Sequence, residues 1–134
     1  MGRRLRFLFE PTIFILVNMR YNKFIEVMRM NETALCPRFE KAVGILSKRW
    51  VSLIVFQLLP GPRRFCGLEA SLPNISGRLL SERLKELEQE GIVRREVFPE
   101  TPVRIEYSLT DKGRALAPVL SEIGTWSTNW IEPE

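Results

Sequence analysis

Residues 75–91 read ISGRLLSERLKELEQEG, and the reading of this stretch decides the fold. Ser76 is a good N-cap residue, because its hydroxyl oxygen can accept from one of the first unpaired helix N–H groups. Gly91 suits the position just past a helix end, where the backbone turns left-handed. Between them Leu80, Leu84 and Leu87 recur at i, i+4 and i+7. At about 100° per residue they form one narrow apolar stripe. The same wheel puts Arg78, Ser81, Glu82, Lys85 and Gln89 on the opposite face. Side chains of that length and polarity can reach base edges in a DNA major groove. A solvated surface helix has the same pattern, so the helix alone does not choose.

The flanking sequence narrows the choice. Residues 92–98 and 103–109 are rich in β-branched and aromatic residues and read as two strands. Pro99-Glu100-Thr101-Pro102 between them cannot continue a strand and fits a hairpin tip. Upstream, a helix is expected from Cys36, with Pro37 in its first turn and Phe39, Val43 and Leu46 on its apolar face. Residues 49–59 predict a second, more buried helix, with Trp50, Leu53, Ile54 and Leu58 apolar around much of the wheel, stopped by Pro60-Gly61-Pro62. Residues 63–65 are short and extended, and residues 67–72 make a third helix with Cys66 near its N-cap. Pro73-Asn74 forms the turn out. Thr110 caps a last helix running to about Trp130. The order predicts an α+β, mainly α, winged helix-turn-helix, with the third and fourth helices as the helix-turn-helix and residues 92–109 as a two-stranded wing.

Composition excludes several chemistries. The 134 residues contain no histidine, so Cys–His and Ser–His nucleophilic pairs and His-containing zinc sites are ruled out. No glycine-rich phosphate loop is present and no carboxylate pair sits in an acid–base context, so an enzyme is not expected, nor a metal or cofactor. Cys36 and Cys66 are too few for a disulfide scaffold and suit a reducing, cytoplasmic setting. The chain has twenty Lys and Arg against sixteen Asp and Glu. Residues 1–30 hold six of the bases and two of the acids, leaving fourteen of each in residues 31–134. DNA binding by the globular part must therefore rest on where charges stand, not on bulk excess. A winged helix whose exposed face binds a partner protein stays open on this count.

Residues 1–30 read differently from the rest. Arg3, Arg4 and Arg6 precede an apolar run, but Glu10 and Pro11 interrupt it and no cleavage site follows. The unbroken residues 13–17 are far short of the roughly 20 that span a bilayer, so no membrane segment is expected. We read residues 1–30 as an N-terminal extension whose start is assigned too early, with translation beginning at Met28 or Met30. The alternative is a true basic arm that touches DNA phosphates. Residues 31–134 form the domain.

Cys36-Pro37, KRW at 48–50, GPRRF at 61–65, LSERLKELEQEGIV at 80–93 and PETPVRIEYSLTDKGRAL at 99–116 resemble the HxlR family of bacterial winged-helix transcription regulators. More narrowly, they resemble its branch that senses electrophiles and oxidants through a cysteine. The resemblance covers residues 36–130, and YSLT with its following Lys-Gly is its most specific part. It implies a homodimer joined through its first and last helices, binding a near-palindromic operator in double-stranded DNA, usually as a repressor. Ser47 stands where many members have glycine, and Cys66 replaces a polar residue. No cysteine follows Cys66, so a disulfide to a C-terminal cysteine, used by some members, is out of reach.

The candidate site residues follow. Ser76, Arg78, Ser81, Glu82 and Lys85 should face the groove, with Arg78 best suited to a guanine because its fork pairs with O6 and N7 together. Arg63, Arg64, Arg94, Arg95 and Arg104 are phosphate candidates, with plain surface solubility as the alternative for each. Leu116, Leu120, Ile123, Trp126 and Trp130 exceed what one small core needs and should pair with a second copy. Cys36 stands at a helix start, where unpaired N–H groups and the positive dipole end favour a thiolate, with Arg38 and Lys41 nearby. Position alone favours a small residue filling a niche. The resemblance implies the sensing role, since Cys36-Pro37 matches the sensing cysteine of that branch, and leaves Cys66 as a possible partner.

Overall fold

The structure, a computed structural model, describes residues 36–134. The readings of residues 1–30 lie outside the described residues. Residues up to 43 and residues 44–134 belong to two compact units, taken here one at a time.

In the first unit, Cys36 leads directly into α1 (Pro37–Leu46). Its carbonyl accepts the Glu40 N–H at 3.0 Å, closing the first turn. Pro37 occupies the first helical position, where its missing N–H removes nothing the helix needs.

The second unit contains α2 (Val51–Leu58), β1 (Arg63–Arg64), α3 (Phe65–Ser71), α4 (Gly77–Gln89), β2 (Val93–Phe98), β3 (Arg104–Leu109), α5 (Asp111–Arg114) and α6 (Ala117–Trp130). The three strands form an antiparallel sheet in the order β1-β3-β2. The core is built where α2, α3, α4 and the base of the sheet meet. Val51, Ile54, Val55 and Leu58 enter from α2, Leu68 from α3, Leu80, Leu84 and Leu87 from α4, and Val93 and Leu109 from the strands. The α4 stripe read from the sequence is fully buried, at 0–1 % exposure for all three leucines. This is a winged helix-turn-helix, mainly helical, with β2 and β3 as the wing.

Four details depart from the sequence reading. The second helix begins at Val51, not at 49, because Trp50 takes a left-handed φ of 78° that no helix interior accepts. Its ring packs partly into the core, with the Arg49 guanidinium 5.1 Å above it. Leu53 faces outward at 51 % exposure, because Val51, Ile54, Val55 and Leu58 already fill the inward face. The third helix spans Phe65–Ser71 and so begins two residues early, placing Cys66 inside its first turn. Pairing with β3 holds Arg63 and Arg64 extended, and the extended Arg64 serves directly as the N-cap. Finally, the last helix is two: α5 ends at Arg114 and α6 starts at Ala117. Pro118 has no N–H to give and its ring crowds the carbonyl four residues back, which ends the first segment.

Candidate nucleic-acid interface

α4 is fixed at both ends and along one edge. At its start the Ser76 hydroxyl accepts the Leu79 N–H at 3.1 Å. At its end Gly91, at φ 70°, donates to the Glu88 carbonyl at 3.0 Å, and Ile92 donates to that of Leu87 at 2.9 Å. This paired closure needs a left-handed residue between, hence glycine. Three further carbonyls are met by the segment after the wing. Lys112 Nζ donates to Glu90 O at 2.5 Å, and Thr110 Oγ1 lies 2.6 Å from Gly91 O and 3.2 Å from Ile92 O. The Thr110 oxygen also accepts the Gly113 N–H at 3.1 Å, capping α5. Thr110 and Lys112 thus tie the segment after the wing to the end of α4.

Along its edge, Arg83 Nε donates to the Arg49 carbonyl at 3.2 Å, and Glu86 is paired with Arg83 at 3.0 Å and Lys48 at 3.2 Å. Burial pushes the Glu86 carboxyl up, but its hydrogen bond to Lys48 and the charges of Arg83 and Lys48 outweigh this and hold it below the usual carboxylate range. Residues 48–50 therefore brace α4 from the side.

The exposed face of α4 divides into two stripes. Arg78 and Glu82 form an i, i+4 pair at 3.4 Å, with the Arg78 side chain 90 % exposed. Ser81, Lys85 and Glu88 recur at i, i+4 and i+7 on the side turned toward the wing. There they line a cleft of about 300 Å³ together with Arg95 and Tyr107.

Register divides the wing arginines. Arg95 pairs across from Tyr107, which in turn pairs with Arg63, so these share the sheet face that carries Val93 and Leu109 into the core. Arg94, Arg104 and Arg64 fall on the other face, beside glutamates. Arg94 approaches Glu96 at 3.7 Å, and Arg64 is the cross-strand partner of Glu106. Arg104 is gripped by Glu100 at 3.0 Å and Glu106 at 2.8 Å, and its guanidinium lies 4.1 Å over the Phe98 ring. Its side chain is only 27 % exposed. Arg104 was expected to reach outward; the structure folds it into the wing.

The structure thus brings Ser81, Lys85 and Arg95 together, sets Arg78 and Glu82 beside one another, leaves Ser76 exposed as the cap, and separates Arg94 and Arg104 from all of these. Glu88 and Tyr107 are additions. Glu88 was legible as the next residue on the Ser81–Lys85 stripe, whereas Tyr107 emerges only from the hairpin register. Of the five apolar residues expected at an interface between copies, Leu116 and Leu120 pack partly against the chain's own core. Ile123, Trp126 and Trp130 are 50–64 % exposed, and Val119 extends their stripe at 41 %.

Cys36 is half-buried and Cys66 exposed, and both are free thiols. The backbone N–H groups of Phe39 and Arg38, pointing back at the helix start, hold the Cys36 thiol below the ordinary thiol range. Burial opposes this and the Arg38 charge adds to it. Among the described residues no helix is long and apolar enough to cross a membrane.

A braced, exposed polar helix followed by a two-stranded wing that carries Arg94, Arg95 and Arg104 fits a DNA-binding transcriptional regulator, and comparison with known proteins agrees. The family model described as HxlR-like helix-turn-helix matches residues 45–134. The uncharacterised HTH-type transcriptional regulator YvaP of Bacillus subtilis (strain 168) is 73% identical over 104 residues, covering 78% of this chain and 96% of that one. The reduced form of the transcriptional regulator YodB from B. subtilis superposes with a TM-score of 0.68 at 48% identity, covering 75% of this chain and 99% of that one. The quinone-bound form of YodB gives 0.64 at 43% identity over 72% of this chain and 100% of that one. The chain belongs to the HxlR family of helix-turn-helix transcriptional regulators, not to any class of enzyme.

Proposed function

We propose that this chain is a homodimeric repressor that reads a near-palindromic operator with α4 and loses or gains operator affinity when the Cys36 thiol is modified. The observation that carries the DNA reading is the outer face of α4. Arg78 projects almost wholly into solvent from a helix fixed at its cap, its closure and its edge. A guanidinium presented on so rigid a support can pair bidentately with guanine O6 and N7. The Ile123–Trp126–Trp130 stripe, with Val119, supports the second copy. Such a regulator acts where the DNA is, in the reducing cytoplasm, where free thiols persist.

Selection from random duplexes tests the reading. Two inverted half-sites should emerge, centred a whole number of turns apart at multiples of about 10–10.5 base pairs. Arg78→Ala should cost roughly 1–3 kcal/mol per half-site and blur one base position. No enrichment, or an enrichment that Arg78→Ala leaves intact, overturns it.

The thiol reading rests on the depressed Cys36 and on the likeness to a regulator whose structure is known quinone-bound. A thiolate at Cys36 would add to a quinone ring carbon, forming a C–S bond as the ring C=C π bond breaks. The electron pair moves to the carbonyl oxygen, which takes up a proton from solvent, and the ring C–H proton shifts to the other oxygen to leave a hydroquinone thioether. The chain's inducers are accordingly reactive electrophiles or oxidants, and Cys66 is the second thiol of each chain, a possible but not a required disulfide partner. Operator affinity followed by fluorescence anisotropy, with and without a quinone or diamide, should respond in the native chain and in Cys66→Ser. It should stay unchanged in Cys36→Ser. An equal response in Cys36→Ser leaves a DNA-binding regulator without thiol sensing at that position.

A further inference from the structure

The cleft between α4 and the wing combines features that the groove-facing surface does not. It is an open cleft of about 300 Å³ lined by Ser81, Lys85, Glu88, Arg95 and Tyr107. Its two cations come from different elements, one from α4 and one from β2, and both line the same cleft. Neither Lys85 nor Arg95 takes part in an ion pair among the described residues. Ser81 and Tyr107 add two hydroxyl groups, each able to donate one hydrogen bond. With Glu88 the lining nets to one positive charge.

The opposite face of the wing is already neutralised. Its two arginines, Arg94 and Arg104, stand against Glu96, Glu100 and Glu106, and Arg104 is further committed to the Phe98 ring. A phosphate approaching that side must displace an existing carboxylate. On the cleft side it meets unpaired cations.

We propose that this cleft seats a single DNA backbone phosphate in each half-site, clamped between Lys85 and Arg95 and hydrogen-bonded by Ser81 and Tyr107. Glu88 limits how tightly it is held. The proposal rests on the DNA-binding reading and deepens it: Lys85 is a phosphate ligand and not a base reader, and Arg95, not its neighbour Arg94, is the wing residue that matters. Glu88 lowers the affinity for every duplex alike and leaves the choice among them to the Arg78 stripe.

The test measures binding of the full chain to a duplex carrying the selected operator and to a random duplex of equal length, as a function of salt. Each neutralised phosphate contributes about 0.9 to the log–log salt slope. Lys85→Gln and Arg95→Gln should each flatten the slope by about that amount per half-site on both duplexes, and the double variant by no more than either single one, since both serve the same phosphate. Arg94→Gln and Arg104→Gln should leave the slope unchanged. Lys85→Arg with Arg95→Lys, keeping both charges, should restore it. Glu88→Gln should tighten binding to both duplexes several-fold and leave their ratio unchanged. A methylphosphonate replacing one phosphate per half-site should weaken the native chain several-fold and cost the double variant nothing. Additive slopes for the two single variants, an Arg94→Gln effect equal to that of Arg95→Gln, or a methylphosphonate penalty that persists at every position in the double variant overturns the clamp. A native chain that prefers neither duplex and shows no salt dependence overturns the DNA-binding reading itself.

Discussion

Gly113 lies against the carbonyl of Ile92 so closely that a Cβ at position 113 would overlap the Ile92 oxygen and come within 3.0 Å of Leu109 Cδ2. The carbonyl cannot retreat, because it also accepts the Thr110 N–H at 3.0 Å. Gly113→Ala should therefore destabilise the fold by about 1–3 kcal/mol, the usual cost of forcing a methyl group into a packed site. Urea unfolding would show this as a lower midpoint at unchanged slope. Gly124→Ala, which meets nothing within 4 Å, is the control and should not lower stability.

Acid should weaken the brace on α4. Glu86 has its folded carboxyl held below the unfolded value, so its stabilising contribution is complete above about pH 5 and disappears as pH falls through the folded value. The melting temperatures of the native chain and Glu86→Gln should differ most near neutral pH and converge in acid. A gap that ignores pH would show that Lys48 and Arg83 do not act on this carboxylate. Because Glu86 is 38 % exposed, the gap is small and low-salt buffer serves best.

Cys36 should alkylate at a lower pH than a free thiol. The first-turn N–H groups favour the thiolate, so in Cys66→Ser the iodoacetamide rate should reach half its maximum clearly below the ordinary value of about 8.5. A midpoint equal to that of a small unstructured cysteine peptide would remove the basis for sensing at this residue.

The two edges of α6 should respond differently to substitution. Ile123→Glu, on the exposed stripe, should reduce the mass seen by light scattering at micromolar concentration from about twice the chain mass to once. Leu120→Ala, on the inward edge, should instead cost about 2 kcal/mol of stability, the low end for a leucine that is only partly buried, and leave the mass unchanged. A native chain that is already monomeric removes the homodimer and the palindrome together.

Much of the fold was legible because local and tertiary demands agree in α4. Ser76, the Leu80–Leu84–Leu87 stripe and Gly91 each carry a local signal that the packed protein then uses. Legibility failed where a tertiary partner set the boundary. The early start of α3 depends on β1 finding β3, which nothing within residues 63–72 announces. Leu53 is as apolar as its buried neighbours, and only the position of α2 on the core turns it outward. Pro118 was visible, but the spacing of Leu116, Leu120 and Ile123 suggested one helix running through it. At the site, strand alternation already separates Arg94 from Arg95. Knowing which of them meets α4, and that Glu100 and Glu106 close on Arg104, requires the hairpin register.

The bonds from Thr110 and Lys112 to the carbonyls of Glu90, Gly91 and Ile92 fasten the end of α4, the root of the wing and the start of α5 at one joint. A joint so completely bonded leaves no soft angle between the helix that enters the groove and the hairpin that flanks it. Such a head behaves like one jaw of a calliper: its shape is fixed and only its distance from the opposite jaw can be adjusted. In the homodimer proposed above, a signal received at Cys36 would therefore act on the spacing or tilt between two whole heads, and an operator with its half-sites reset by a base pair or two should be the sequence best suited to the altered state.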